Sequence, residues 1–235
     1  DRITTVSDTY SKEITTQEYG EGLNPLLWAR RDQLSGIVNG ISYDDWNPNT
    51  DSFIYDTYNK RNVFSKKTLN KTKLQEELGL EVNPDKMLIG LVSRLTDQKG
   101  LDLVAYAMER LCEGGCQLVI LGTGDEKYEN LFRHYSWKYP DRVASCIYFS
   151  NEMSHKIYAA SDAFLMPSLF EPCGLSQLIS MHYGTIPIVR ETGGLKDTVT
   201  PYNEYTGEGT GFSFTNYNAE EMMNIIYYAM EVYYN

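Results

Sequence analysis

Residues 87–121 read M-L-I-G-L-V-S-R-L-T-D-Q-K-G-L-D-L-V-A-Y-A-M-E-R-L-C-E-G-G-C-Q-L-V-I-L, and this stretch decides the fold. The runs Met87–Val92 and Gln117–Leu121 are apolar rather than alternating, which is typical of strands covered on both faces. Between them, apolar side chains recur at helical spacing at Leu101, Val104, Met108 and Leu111. A strand, a helix and a second strand in this order predict two parallel strands joined by a crossover helix.

The same alternation continues downstream. Further apolar runs of strand length occur at Ala144–Phe149, Ala163–Met166 and Thr185–Val189, with helical patterns between them. Together the five runs predict an α/β domain from about residue 86 to 214, built on an open, doubly wound, Rossmann-like parallel sheet.

Upstream, the pattern is less regular. A short strand is predicted near Ile3–Val6 and a helix near Ser11–Tyr19, whereas residues 40–64 are rich in Asn, Asp, Tyr and Pro and favour a connector. A helix is then expected from about Ser65, as its N-cap, to Glu77, with Gly79 just past its end.

The composition excludes several classes of protein. Apolar residues make up 42% of the 235 and charged residues 23%, which excludes a disordered or fibrous chain. No run of about 18 apolar residues is present, which excludes a membrane-spanning helix. The 21 Lys and Arg against 32 Asp and Glu give a net charge of −11, which disfavours nucleic acid or an anionic membrane as a partner. The 4 cysteines form no C-x-x-C pair and only 3 histidines could assist them, so buried free thiols are expected rather than a zinc site.

The two ends of the chain favour a fragment of a longer protein. The sequence begins at Asp1 without a methionine, and its last helical pattern, with Met222, Ile226 and Tyr233 on one face, meets no Gly or Pro before Asn235. A targeting signal therefore cannot be read from it.

Parallel sheets bind ligands at the carboxyl ends of their strands, and the first strand ends in an unusual loop. Arg94 and Lys99 bracket a segment that leads into a helix N-terminus, where cations oppose the helix dipole unless an anion lies between them. Two solvated surface charges are the alternative interpretation.

Three other strand ends carry signals that are weak individually. Gly122-Thr123-Gly124 resembles part of a dinucleotide fingerprint or an ordinary tight turn. Pro172 restricts the backbone of Glu171 and holds that carboxylate on a defined turn before a helix, where it could equally compensate the dipole. The pair Gly193-Gly194 allows close approach of a ligand, or forms a flexible turn. Together, the two cations, the glycine pair and the carboxylate of Glu171 would surround one crevice. They suit a sugar bound through a diphosphate better than NAD, because an NAD site expects an acidic residue about 20 residues after the glycine loop, at the end of the next strand, and none follows Gly124 there.

Three motifs resemble those of bacterial glycogen synthases and plant starch synthases: S-R-L-T-D-Q-K-G at 93–100, E-P-C-G-L-S-Q-L at 171–178 and T-G-G-L-K-D-T-V at 192–199. That family consists of retaining glycosyltransferases of the GT-B fold, and N-G-I-S-Y-D-D-W-N-P at 39–48 resembles its crossing between domains. The resemblance implies that residues 1–39 are the end of an N-terminal domain and 40–64 an interdomain connector. Residues 65–235 would be a nucleotide-sugar-binding domain, truncated at its C-terminal end.

The resemblance also implies roles for individual residues. Arg94 and Lys99 would hold the nucleotide diphosphate and assist catalysis, and Glu171 would contact the transferred glucose. Phe149 would stack on the base of the nucleotide. The family commonly has tyrosine at this position, so Phe149 keeps the stacking but lacks the hydroxyl that could form a hydrogen bond. The remaining expected binding residues follow either Glu171 or the predicted strand Thr185–Val189. They are Cys173, Gly174, Leu175, Thr192, Gly193, Gly194 and Leu195. Ile179 stands where many related transferases have a second glutamate, which favours the narrower family.

The family resemblance implies transfer of glucose from ADP-glucose to an α-1,4-glucan, with no metal or other cofactor, by a parent protein of which this chain is an inactive part. Its compartment would be the cytoplasm of a bacterium or the plastid of a plant. Two other functions remain open from the residues: an NAD-dependent oxidoreductase domain, based on Gly122 and Gly124, and a noncatalytic glucan-binding module, based on the 19 tyrosines. The choice between ADP and UDP, between glycogen and starch, and the oligomeric state stay open.

Overall fold

The computed structural model describes residues 1–235 and begins with a small lobe. Strands β1 (Ile3–Thr5) and β2 (Leu34–Gly36) pair in parallel, and helices α1 (Asp8–Glu13) and α2 (Asn24–Ala29) lie between them in the chain. Helix α1 starts earlier and ends sooner than the predicted Ser11–Tyr19, because the Ser7 hydroxyl accepts the Tyr10 N–H and caps it.

Helix α3 (Val63–Leu78) follows the connector and packs on the main domain. Its N-cap position is Asn62, so the predicted Ser65 cap is wrong: the Ser65 hydroxyl lies inside the helix and donates to the Asn62 carbonyl. Gly79 ends the helix with a φ of 71°, as its position in the sequence predicts.

The main domain is a six-stranded parallel sheet in the order β5-β4-β3-β6-β7-β8. Its strands in chain order are β3 (Leu88–Val92), β4 (Gln117–Leu121), β5 (Val143–Cys146), β6 (Ala163–Met166), β7 (Ile186–Arg190) and β8 (Phe212–Phe214). Leu88 pairs with Gln117 on one side of β3, and Ile89 pairs with Ala163 on the other. The chain thus runs outward from β3 to β5 and returns to β6, which places the topological switch point between β3 and β6.

Helices cover both faces of this sheet. In chain order they are α4 (Leu101–Glu113), α5 (Glu126–Lys138), α6 (Asn151–Ala160), α7 (Ser176–His182), α8 (Gly193–Thr198) and α9 (Ala219–Tyr234). Apolar side chains of α4, α5 and α9 form the core on one face. Those of α3, α6, α7 and α8 form the core on the other. The predicted doubly wound α/β sheet is confirmed.

The predicted bounds of three of the five strands are wrong, the first by one residue, since β3 begins at Leu88 and not at Met87. The predicted strand Ala144–Phe149 corresponds to β5, which ends at Cys146. Phe149 lies beyond the strand, and its side chain is 91% exposed. Strand β7 is shifted by one residue from the predicted Thr185–Val189, because Thr185 is buried and its hydroxyl donates to the carbonyls of Tyr158 and Ser161. No strand is predicted from the sequence at the position of edge strand β8, because three residues are too few to show a pattern. The four cysteines are free and buried, as expected.

The connector is held against α6 and the end of α7 by a buried polar cluster. The Asp51 carboxylate lies 2.7 Å from His155 Nδ1 and accepts a 2.6 Å bond from the Tyr183 hydroxyl, while Trp46 stacks on the His155 ring. Burial acts to raise the pKa of Asp51, but the hydrogen bonds from His155, Tyr183 and the Phe53 N–H outweigh it, so this pKa lies below its usual value. The carboxylate is therefore a stable anchor for the connector.

No helix of the chain combines the length and the apolar character needed to cross a bilayer.

Candidate functional site

A cavity of about 170 Å³ lies at the switch point, between the carboxyl ends of β3 and β6. Both strands are buried along their length, so the first polar groups after each strand converge at this edge of the sheet. Arg94 and Lys99 reach the cavity from the loop after β3, and Ser168 and Ser176 reach it from the segment after β6. The structure thus brings the two predicted cations to one crevice.

Lys99 and Glu171 form an ion pair in this crevice. The Lys99 Nζ lies 2.6 Å from Glu171 Oε2, and the Ser168 hydroxyl donates to the same oxygen at 3.2 Å. The side chains are 18% and 9% exposed, so both charges are largely withdrawn from solvent. A buried pair of this kind is costly to break, because removal of one partner leaves the other charge uncompensated.

Arg94 differs from Lys99 in being exposed and without a carboxylate partner. Its closest polar contact is a 3.5 Å approach of Nη2 to Gln98 Oε1. It lines both the switch-point cavity and a second, neighbouring one, so its guanidinium stands where the two meet. A guanidinium in this position is available to bind an incoming anion in a bidentate manner.

The second cavity, of about 290 Å³, lies over the ends of β3 and β4. Its walls include the rings of Phe149, Tyr148, Tyr158 and Trp46 and the backbone at Gly122 and Thr123. An exposed phenylalanine next to such a cavity suits stacking on a flat ring, which is the role that the resemblance implies for Phe149. Because Arg94 lines both cavities, it would lie next to a base in this cavity and next to a phosphate in the switch-point cavity.

The loops after β6 and β7 interlock. A side chain added at Gly194 would place its Cβ 2.0 Å from the Cys173 carbonyl oxygen, and the Gly194 N–H donates to the Glu171 carbonyl at 3.1 Å. Close packing between the two turns therefore requires glycine at this position. The turn that carries Glu171 rests directly on the start of α8.

The donors at the start of α8 are already occupied. The Gly193 N–H and the Thr192 hydroxyl both donate to Glu13 Oε1 at 3.0 Å. Thr192 and Leu195 are fully buried. In this structure the Glu13 carboxylate occupies two of the donors that the sequence predicts for a ligand, and ligand binding by this turn stays a prediction.

The residues that follow Glu171 have mainly structural contacts. Cys173 is buried and its carbonyl accepts a bond from the Gln177 side chain, while Gly174 adopts a φ of 69° that favours glycine. Leu175, at 46% exposure, is the one apolar side chain of this turn that faces solvent. Cys173 is thus one of the buried free thiols that the composition predicts, and its contact with a ligand stays a prediction.

The Gly122-Thr123-Gly124 turn also has a packing explanation. A Cβ at Gly122 would lie 1.9 Å from the Ser93 carbonyl oxygen, and Gly124 forms a bridge with Leu95. These glycines let the loops after β3 and β4 pack against each other. The ordinary tight turn is the better of the two interpretations that the sequence left open.

Several site residues had no prediction. Ser168, Tyr148 and Trp46 line the cavities, and Glu13 lies 180 residues from the Gly193 that it contacts. Ser168 follows the predicted strand Ala163–Met166, and this position at the carboxyl end of a strand is the signal that could have identified it as a site residue. Nothing in the sequence links Glu13 to α8. No group of three or more His, Cys, Asp and Glu side chains stands together as a possible metal site.

A doubly wound parallel sheet with two cations, a paired carboxylate and an aromatic-lined cavity at its switch point defines a Rossmann-like ligand-binding domain. The model of the family "Glycosyl transferases group 1" matches residues 72–232, and that of the "Starch synthase catalytic domain" matches residues 1–29. The chain belongs to the group 1 glycosyl transferases.

Individual relatives agree with this assignment. The chain is 66% identical to a glycogen synthase of Lachnospira eligens over 235 residues and 60% identical to one of Lachnoclostridium phytofermentans over 233, covering 100% and 99% of this chain and 49% of each relative. It therefore spans about half the length of these curated relatives.

Solved structures support the fold. The catalytic domain of starch synthase IV from Arabidopsis thaliana, bound to ADP and acarbose, is 38% identical, with a TM-score of 0.91 over 99% of this chain and 48% of that one. A sucrose-phosphate synthase from Thermosynechococcus elongatus has 21% identity and a TM-score of 0.64 over 99% of this chain and 50% of its own, which shows the shared fold alone. The predicted fold class, the C-terminal half of a GT-B fold, and the predicted family are confirmed.

Proposed function

We propose that the chain is the nucleotide-sugar-binding part of a glycogen or starch synthase, which transfers glucose from ADP-glucose to the non-reducing end of an α-1,4-glucan with retention. The observation that carries this proposal is that Arg94 and Lys99 line the switch-point cavity, with Glu171 ion-paired to Lys99 beside it. The glycogen synthase relatives and the starch synthase structure bound to ADP and acarbose support it. Bacterial relatives favour a cytoplasmic setting over a plastid.

The two cations bind the diphosphate. As the bond between glucose and the diphosphate breaks, negative charge grows on the leaving group, and Arg94 and Lys99 stabilise that charge. This is the work that a metal ion performs in other transferases, and we propose that none is needed here.

Glu171 orients the sugar. Its carboxylate is fixed by the Ser168 hydroxyl and by Lys99, so it meets the hydroxyl groups of the glucose in one defined position. It acts as a hydrogen-bond acceptor rather than as a nucleophile. Lys99 contacts this carboxylate on one side and the diphosphate on the other, which couples the sugar site to the phosphate site.

By itself, the chain is expected to bind ADP without transferring glucose. The residues that line the crevice belong to a chain that spans about half the length of its relatives. Exclusion of water and orientation of both substrates are needed for transfer.

The ligand class is tested by isothermal titration of the 235-residue chain with ADP, UDP, AMP and NAD⁺. We expect ADP to bind more tightly than AMP, because the β-phosphate adds a second contact to the cations. Arg94→Ala should remove most of that preference. Tighter binding of NAD⁺ than of ADP would refute the proposal and revive an oxidoreductase domain, whereas equal binding of ADP and AMP would remove the cations from the phosphate site.

A further inference from the structure

The turn that carries Glu171 is bonded to a buried arginine, Arg190. This residue ends β7, so its side chain starts at the carboxyl edge of the sheet, where the switch-point crevice lies. It is only 7% exposed, and its hydrogen-bond partners are three backbone carbonyls rather than a carboxylate. A buried cation without an anionic partner is costly, and these bonds offset that cost only while the carbonyls stay in place. The position of the arginine and the positions of the three carbonyls are therefore linked.

The guanidinium clamps the segment that leads from β6 to Glu171. Its Nε donates to the Ser168 carbonyl at 2.9 Å, and Nη2 donates to the carbonyl of the next residue, Leu169. On the other side, Nη1 donates to the Thr215 carbonyl, just after β8, at 3.2 Å. A planar fork matches two adjacent carbonyls in a way that the single ammonium group of a lysine does not. Arg190 therefore ties the segment after β6 to the segment after β8.

Every backbone carbonyl from residue 168 to residue 171 has a hydrogen-bond donor. Arg190 donates to the first two, the Gln98 side-chain amide approaches the third at 3.4 Å, and the Gly194 N–H donates to the fourth at 3.1 Å. Arg190 is the one charged donor among them, and a charge-assisted hydrogen bond is about twice as strong as a neutral one. The arginine is therefore the strongest restraint on this turn.

Ser168 connects this clamp to the carboxylate of Glu171. Its carbonyl accepts from Arg190, while its hydroxyl donates at 3.2 Å to Glu171 Oε2, the oxygen that also lies 2.6 Å from Lys99 Nζ. Ser168 is 1% exposed, so water does not replace these partners. A shift of the Ser168 backbone would carry its hydroxyl away from Glu171 and leave Lys99 to set the direction of the carboxylate alone.

We propose that Arg190 is a positioning residue, which holds the Glu171 carboxylate where it meets the hydroxyl groups of the transferred glucose. This role rests on the proposed function, because Arg190 lines neither cavity and acts only through Glu171. Loss of the clamp misplaces the carboxylate and slows glucose transfer. The nucleotide is held by Arg94 and Lys99, so its affinity does not depend on the clamp.

The test is a double-mutant cycle in the full-length parent, with initial rates from ADP-glucose and calorimetric titration with ADP. Arg190→Lys should lower kcat by about 10- to 100-fold, the scale of a misplaced reacting group, and keep ADP affinity within a few-fold. In a Glu171→Gln background the same substitution should lower kcat less than about threefold, because the carboxylate through which Arg190 acts is gone. Arg142→Lys is the matched control. Arg142 also donates to a backbone carbonyl, that of Cys112, but it precedes β5 at the amino edge of the sheet, and its substitution should leave kcat unchanged.

A merely structural arginine gives a different pattern. It would lower kcat by the same factor in both backgrounds, or lower ADP affinity as much as kcat, and either result would overturn the proposal. Arg190→Gln, which keeps an amide donor for one carbonyl, should behave like Arg190→Lys and takes its place if the lysine variant does not fold. Transfer at the full rate by Arg190→Lys would overturn this role alone, whereas no transfer by the unmodified parent would refute the function proposed above and this role with it.

Discussion

Substitution of Lys71 by methionine should destabilise the chain strongly. The Lys71 side chain is 2% exposed, and its Nζ lies 2.7 Å from Asp162 Oδ2 and donates to the Pro84 carbonyl and the Tyr233 hydroxyl. Burial lowers the pKa of Lys71, while Asp162 opposes that effect. Methionine fills a similar volume but removes the ion-pair partner of the Asp162 carboxylate, which is only 17% exposed and keeps the Leu88 N–H among its hydrogen-bond donors.

The expected loss is about 3–5 kcal/mol, the usual cost of removing one partner from a buried ion pair. For a chain of this length that corresponds to roughly 6–20 °C in Tm. Lys73→Met, on the same helix, removes a pair with Glu76 in which both side chains are more than half exposed, and it should cost less than about 1 kcal/mol.

Urea and thermal denaturation, followed by circular dichroism, measure both variants. Adding Asp162→Asn to Lys71→Met should recover a large part of the lost stability, since the unpaired charge is the main cost. The reasoning is refuted if Lys71→Met costs no more than Lys73→Met, or if the second substitution adds to the loss instead of reducing it.

Three further predictions concern the site loops. Gly194→Ala should lower the Tm and weaken ADP binding, because its Cβ would lie 2.0 Å from the Cys173 carbonyl oxygen, whereas Gly40→Ala has nothing within 4 Å and should change neither. Phe149→Ala should weaken ADP binding by about 1–3 kcal/mol through lost base stacking and leave the Tm within error, measured by calorimetry with Phe64→Ala as control. Burial acts to raise the pKa of Asp197, but hydrogen bonds from Ser7 and Thr9 outweigh it and lower that pKa, so its stabilising effect is complete above the unfolded pKa of about 3.9 and is lost as the pH falls through the lower folded value. The Tm difference between the unmodified chain and Asp197→Asn should accordingly shrink as the pH is lowered from about 5, and a difference that stays constant would contradict this assignment.

The central strands could be predicted because burial on both faces leaves uninterrupted apolar runs. Gln117–Leu121 and Ala163–Met166 are strands with those bounds. The same signal fails where an apolar residue serves another purpose: the run through Phe149 continues past the end of β5 because its ring faces a cavity. Strand β8 has three residues and lies at the sheet edge, which is too short for a periodicity.

The candidate site could be predicted only as far as strand ends converge. Arg94, Lys99 and Glu171 were placed in one crevice because parallel strands end at the same edge of a sheet. That Lys99 pairs directly with Glu171, 72 residues away, depends on side-chain directions that the order of strands does not determine. The partner of the Gly193 N–H, Glu13, is the last residue of helix α1 in the small lobe, 180 residues away, so no local pattern could reveal it.

The glycine turns show why such motifs are ambiguous in sequence. Gly122 and Gly194 occur at the places where a ligand-binding backbone is expected, yet each is required by a carbonyl oxygen of a neighbouring loop. A glycine permits the close approach of a ligand and the close approach of another loop equally well. Only the packing in the structure distinguishes the two reasons for its presence.

Calorimetric titration of ADP into four variants tests most directly whether Lys99 serves the diphosphate and Glu171 serves the sugar. Lys99→Met should weaken ADP binding by about 10- to 100-fold, the scale of one charge-assisted hydrogen bond. Lys138→Met, which removes a lysine of α5 that is paired with Glu109 of α4 and lines neither cavity, should leave it unchanged. Glu171→Gln should keep ADP affinity within a few-fold. Lys99→Met combined with Glu171→Gln should stay weak, because the lysine is still missing. The double variant has no unpaired carboxylate to repel the phosphates, so its weak binding reports the lost lysine contact itself. Loss of ADP binding in Glu171→Gln equal to that in Lys99→Met, or full recovery of ADP binding in the double variant, would contradict the assignment.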